Sequence, residues 1–146
     1  MQLSLYTDYA LRTLMMLATV PDRQSVDAIA RRHAISANHL AKVAQALQVH
    51  GFVQSTRGRS GGMVLARPAQ EINVGDVVRR FENLDSFVGC LGEGGTCAML
   101  GICGLTPALR GALDSFLTHL DGITLADITA NENALRRRLF AEPVTV

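Results

Sequence analysis

The sequence predicts a mainly α-helical fold with one small β-hairpin. Three observations predict it. Apolar residues recur three and four positions apart through most of the first 50 residues. Only two short runs have strand composition, Phe52 to Thr56 and Met63 to Ala66, and a glycine- and arginine-rich loop separates them. Finally, Thr106-Pro107 opens a long segment striped with leucine and phenylalanine, with proline in the first turn where its missing N–H costs nothing. The 146 residues (15.7 kDa) suit one ordinary core. With 48% hydrophobic and 18% charged residues, the composition excludes a disordered polar chain. The longest apolar run, Leu14 to Ala18, is far short of the ~20 residues of a membrane span. No secretory pattern of basic, apolar and small residues is found, so the protein is expected to be cytoplasmic, with no membrane partner.

The elements follow in order. Leu11, Leu14, Met15 and Ala18 make residues 7–19 a helix, which Pro21 ends. Ser25 caps a second, short helix running to His33. After Ala34-Ile35, Ser36 caps a third, with Leu40, Val43, Ala44 and Leu47 on one face and Gly51 as its stop. Two short helices joined by so tight a turn have the helix-turn-helix outline. The hairpin that follows, with Arg57-Gly58-Arg59-Ser60-Gly61-Gly62 at its tip, makes it a winged helix. Val74 to Leu84 forms a fourth helix. Residues 89–104 hold six of the thirteen glycines and all three cysteines, which argues against regular structure there. The long helix then runs to about Asp121, and Thr124 caps a last short one. Four regions result: a winged helix-turn-helix over 1–84, a cysteine-rich loop over 85–104, a long dimerisation helix and short helix over 105–130, and a tail over 131–146 that contains Arg136-Arg137-Arg138.

The formal net charge of +1 hides a division. Residues 1–80 carry ten Lys/Arg against five acids, and residues 81–146 carry four arginines against eight. The basic front points to a polyanionic partner. On the third helix, Ser36, Asn38 and His39 precede Lys42 and Gln45 on the polar face. Asparagine and glutamine can bond adenine edges in a bidentate manner, and lysine suits guanine or phosphate. Arg57, Arg59 and Ser60 at the wing tip can reach the minor groove or the sugar–phosphate chain. A polar helix face alone is equally a solvated surface; the adjoining wing and the basic front tip the balance to double-stranded DNA. No catalytic constellation is found, and no enzymatic activity is expected. With aromatics at only 5%, base stacking is a poor alternative.

Cys90, Cys97 and Cys103 fall within 14 residues, in an odd number unsuited to a disulfide framework. Three thiolates and a fourth ligand can hold an iron–sulfur cluster, which glycines let the loop wrap. Structural zinc is a second possibility, although the tight cysteine pair that zinc favours is missing. A thiol switch is a third. An electron carrier would need the cysteines but not the wing. The stripe Leu109, Leu113, Phe116, Leu117 and Leu120 is too apolar for a lone helix and calls for a mate.

Taken together, Tyr6-Thr7-Asp8-Tyr9-Ala10-Leu11-Arg12, the wing Arg57-Gly58-Arg59-Ser60-Gly61-Gly62, Val74-Gly75-Asp76-Val77-Val78, the three-cysteine loop, Ala108-Leu109 and Ile123-Thr124-Leu125-Ala126-Asp127-Ile128 resemble the iron–sulfur winged-helix transcriptional regulators of the IscR, RirA and NsrR type. The resemblance covers about residues 1–130 and is greatest to the nitric-oxide-sensing NsrR repressors. It implies a homodimer joined along the long helix, two-fold symmetric operator DNA, and repression relieved by nitric oxide. It implies one cluster per subunit, [4Fe-4S] favoured over [2Fe-2S], held by Cys90, Cys97, Cys103 and, from the other subunit, Asp8. Two departures stand out. IscR-like members carry histidine three residues after the last cysteine, where this chain has Thr106. The helix-turn-helix turn commonly has glycine where this chain has Ala34, which costs about 1 kcal/mol if φ is positive there. An iron- or redox-responsive regulator of the same type, and a zinc-stabilised DNA-binding protein, are the alternatives.

Overall fold

A computed structural model of the chain describes residues 3–56, 58, 61–84, 97–99 and 101–141. Helix α1 (Leu5–Thr19) starts two residues before the expected start at residue 7, because Ser4 caps it by accepting from the Thr7 N–H at 3.2 Å. Helix α2 (Val26–His33) is capped by Ser25 as expected, with the Ala28 N–H 3.1 Å from its Oγ. Ala34 then adopts the left-handed conformation, φ 53° and ψ 42°, and the Ile35 N–H closes the turn on the Ala30 carbonyl at 2.9 Å. Helix α3 (Ala37–Val49) buries Leu40, Val43, Ala44 and Leu47. Ser36 stands at its N-cap position without making the expected side-chain cap, so its exposed hydroxyl is left for other partners.

Strands β1 (Val53–Thr56) and β2 (Gly62–Leu65) pair antiparallel, Val53 opposite Leu65 and Thr56 opposite Gly62. Gln24 adds a third rung beside them. Its N–H donates to the Met63 carbonyl at 3.0 Å and its carbonyl accepts from the Met63 N–H at 2.8 Å. The wing is thereby knitted to the segment between α1 and α2. Leu14, Met16, Ile29, Leu40, Leu47, Phe52, Ile72 and Leu125 form the fully buried core where these elements meet.

Helix α4 (Val74–Phe81) stops three residues short of the predicted end at Leu84. Glu82 turns into extended backbone, φ −104° and ψ 139°, to reach the start of α1. Helices α5 (Leu105–Asp121) and α6 (Leu125–Ile128) follow, the latter with a reciprocal Thr124–Asp127 capping box. Residues 131–140, expected as tail, instead contain helix α7 (Glu132–Phe140). Little in its own polar sequence requires a helix. It forms because Leu139 packs on the core, and because Arg32 bonds the Leu139 carbonyl at 3.2 Å and lies 4.6 Å from the Phe140 ring centroid.

The base of α5 is sewn to α4. The Val74 N–H donates to the Ile123 carbonyl at 2.9 Å, and the Leu125 N–H to the Ile72 carbonyl at 2.8 Å. Arg79 makes a two-armed bond to Asp121, with Nη2 2.7 Å from Oδ2. That bond holds the Asp121 carboxyl below its ordinary pKa, so the pair persists at neutral pH and is lost only as pH falls through the depressed value. Gly75 makes the approach possible: a Cβ there would lie 2.1 Å from Asp121 Oδ1 and 3.0 Å from its backbone nitrogen. Gly75→Ala is therefore expected to cost about 1–3 kcal/mol in urea unfolding. An unchanged midpoint would show that the contact is slack.

Candidate nucleic-acid interface and cysteine centre

The amphipathic split of α3 sets out the first half of the site. While its leucines and Val43 face inward, Ser36, Asn38, His39, Lys42 and Gln45 are all exposed. The helix is braced on both sides. The Tyr6 hydroxyl donates to the Lys42 carbonyl at 3.3 Å, and the Ser55 hydroxyl on β1 donates to Gln48 Oε1. Arg23 Nη1 donates to Thr56 Oγ1 at 2.9 Å, securing the strand end that leads into the wing tip. The tip residues Arg57, Arg59 and Ser60 lie outside the described residues.

Asp8 sits in the first turn of α1 with its side chain 35% exposed. Arg12, one turn on, holds its carboxylate at 2.9 Å. His33 faces this pair. Its pKa is lowered mainly by burial, with Arg12 lowering it further and Asp8 opposing, and its buried Nε2 has no hydrogen-bond partner among the described residues. Below Asp8 the helix is clamped by Glu82, whose carboxylate accepts from the Ser4 N–H at 3.0 Å, the Ser4 hydroxyl at 3.0 Å and the buried Thr7 hydroxyl. Arg12 is legible from its i, i+4 spacing to Asp8. Glu82 is not, because its partners lie 75 and 78 residues away.

At the other end, Cys97 is exposed and Cys103 half-buried, both as free thiols; Cys90 lies outside the described residues. Cys103 directly precedes Gly104, the N-cap of α5. The Leu105 and Thr106 backbone N–H groups, followed by the Thr106 side chain, bond its sulfur and bring its pKa below the ordinary thiol range. Around it the surface is apolar: Met99, Ile102 and Leu105 are 57%, 87% and 60% exposed. Along α5, Leu117 is buried, and Leu109, Leu113, Phe116 and Leu120 are half-buried. Among the described residues of one chain, no three His, Cys, Asp or Glu side chains converge as a metal site. The donor chemistry nevertheless fits iron: sulfur already biased towards thiolate, and a partly exposed carboxylate whose only ion-pair partner among the described residues is the exposed Arg12.

Comparison with known proteins places this architecture. The profile of Rrf2, described as an iron-dependent transcriptional regulator, matches residues 3–131. The chain belongs to the Rrf2 family. Among solved structures, this Rrf2 protein is similar to T. potens IscR at 26% identity and a TM-score of 0.73, with 93% of this chain and 91% of that one covered. It is similar to CymR (YrzC), the global cysteine regulator of B. subtilis, at 27% identity and a TM-score of 0.67, covering 90% and 98%. CymR of Staphylococcus aureus gives 26% and 0.67, covering 86% and 95%. The mostly helical chain with its two-stranded hairpin is thus a winged-helix transcriptional regulator. Among the described residues no helix is long and apolar enough to cross a membrane.

In metal-free protein, the pH midpoint for iodoacetamide alkylation of Cys103 is expected to lie below that of the same cysteine in the urea-unfolded chain. Peptide mass mapping across a pH series measures both, and coincident midpoints would remove the helix-end effect.

Proposed function

We propose that this Rrf2 protein represses transcription as a homodimer on two-fold symmetric operator DNA, that it does so while an iron–sulfur cluster is bound, and that nitric oxide is the signal that relieves repression. Cys90, Cys97 and Cys103 would hold the cluster, [4Fe-4S] in preference to [2Fe-2S], with Asp8 of the partner subunit as fourth ligand. The observation that carries this reading is the pairing of an exposed polar α3 face with a thiolate-biased Cys103 in an iron-dependent family. When bound, the cluster supplies iron reactive towards nitric oxide and a tie between subunits.

The chain's own residues explain how such a tie would reach the DNA. Asp8 lies on the α1 turn that Glu82 clamps to α4 and that Tyr6 bonds to α3. A pull on Asp8 is therefore felt by the reading helix. With Leu109, Leu113, Phe116 and Leu120 joining α5 to its mate, and Leu117 already buried within its own chain, the two heads would be held at one spacing. Ser36, Asn38, His39, Lys42 and Gln45 would then meet successive major grooves, with Arg57, Arg59 and Ser60 on the flanks. A coupling of about 3 kcal/mol changes affinity on the order of a hundredfold, enough for a switch.

A second reading has its own support. Free Cys97 and the activated Cys103, with the similarity to a cysteine regulator, favour an iron- or redox-responsive member of the family. A zinc-stabilised DNA-binding protein would share the reading head. Anaerobic purification followed by absorbance, iron, sulfide and zinc assays separates these readings, and gel shifts with and without nitric oxide identify the signal. The decisive pair is Asp8→Ala beside Cys97→Ala. Both are expected to lose cluster and operator affinity together; full retention by Asp8→Ala would remove it as ligand while leaving the cysteines.

A further inference from the structure

The arginines that ion pairs do not consume gather on one flank. Of the twelve lysines and arginines among the described residues, Arg12, Arg67, Arg79, Arg80 and Arg136 have carboxylate partners. Seven have none among those residues: Arg23, Arg31, Arg32, Lys42, Arg110, Arg137 and Arg138. Lys42 belongs to α3, and Arg110 lies alone on α5. The other five sit on α2, the segment before it, and α7.

Those elements are joined to one another and to the wing. Arg32 fastens the end of α7 to α2 through the Leu139 carbonyl and the Phe140 ring. Arg137 borders a hollow shared with Val20, Asp22 and Gln24. Gln24 bonds the wing strand at Met63, and Arg23 bonds Thr56 at the wing's outer end. Leu139 faces the core, and Arg137 and Arg138 are exposed. Arg137 finds only Asn133 and Ala141 four residues away, so no carboxylate of its own helix answers it. Counting Arg136, six arginines on this flank face three carboxylates, Asp22, Asp27 and Glu132, the last already held by Arg136.

We propose that Arg137 and Arg138 on α7 form, with Arg23, Arg31 and Arg32, a second phosphate-binding strip that carries the DNA contact past the wing along the flank of each head. The inference rests on the DNA-binding reading above and adds to it a surface outside the helix-turn-helix and wing. Because its ligand is the sugar–phosphate chain, it is independent of base sequence.

The test uses full-length protein, purified without air, and a fluorescent mixed-sequence duplex of about 30 base pairs titrated across a salt series. Arg137→Ala/Arg138→Ala is expected to lower the log affinity against log salt slope by about 2 per bound protomer, and to weaken binding roughly tenfold at low salt. Arg137→Lys/Arg138→Lys should keep the slope, since the charges remain. Arg110→Ala, a loss of one charge on α5 away from the flank, should match the parent chain, whereas Arg137→Ala alone should lower the slope by about 1. If the alanine pair melts early, Arg137→Gln/Arg138→Gln, which keeps the aliphatic stems, takes its place. Parent-like slope and affinity in the uncharged pair, with Lys42→Ala weakened, would overturn the strip alone. Absence of salt-dependent binding by the parent chain would overturn the strip and the DNA-binding reading together.

Discussion

Helix α4 is eight residues and about 12 Å long, yet both ends of the candidate site depend on it. At its C-terminal edge the Glu82 carboxylate gathers the first turn of α1, and with it Asp8. Gly75 in its first turn and Arg79 in its last together receive Asp121, the last residue of α5. Neither contact is apolar burial of the ordinary kind. One is a charged acceptor satisfying the free amide and hydroxyls of a helix start, and the other is a close approach of Asp121 that a side chain at position 75 would push aside. The reading head and the long helix are thereby held in a set relation, although few core residues are shared between them.

Much of the head was legible in the amino-acid order, because its determinants are local. The three- and four-residue recurrence of Leu11, Leu14, Met15 and Ala18, the Ser25 and Thr124 caps, and the hairpin around its glycine loop all act within one turn or one strand pair. The same is true of α3: once its inward leucines are assigned, the exposure of Asn38, Lys42 and Gln45 follows from helical geometry. What escaped is long-range. Glu82 looks like the continuation of a helix until Ser4 is known to lie beside it. Helix α7 looks like a solvated tail, because its stability comes from Arg32, over a hundred residues away. Ser36 shows the converse limit, a good capping residue in the right place whose hydroxyl does not cap.

The uneven charge along the chain gains meaning once pairing is considered. Arg79 lies in the basic first part, yet Asp121 of the acidic second part consumes it. Arg80 and Arg67 converge on Asp76. Net charge counted by sequence position therefore misplaces the surface field. The cations available to a polyanion are those left after these internal ties, and α7 returns two of them from the C-terminal part to the head.

The reciprocal Gln24–Met63 bonds have a consequence for signalling. Together with Arg23–Thr56 and Ser55–Gln48 they tie, among the described residues, the two wing strands, the segment before α2, and α3 into a single block. A block of this kind moves whole or not at all. Under the proposed dimeric function, an effector acting from the cysteine end would leave the preference for individual bases intact and alter how far apart the paired sequences must lie, so that the distance between repeats would carry the message.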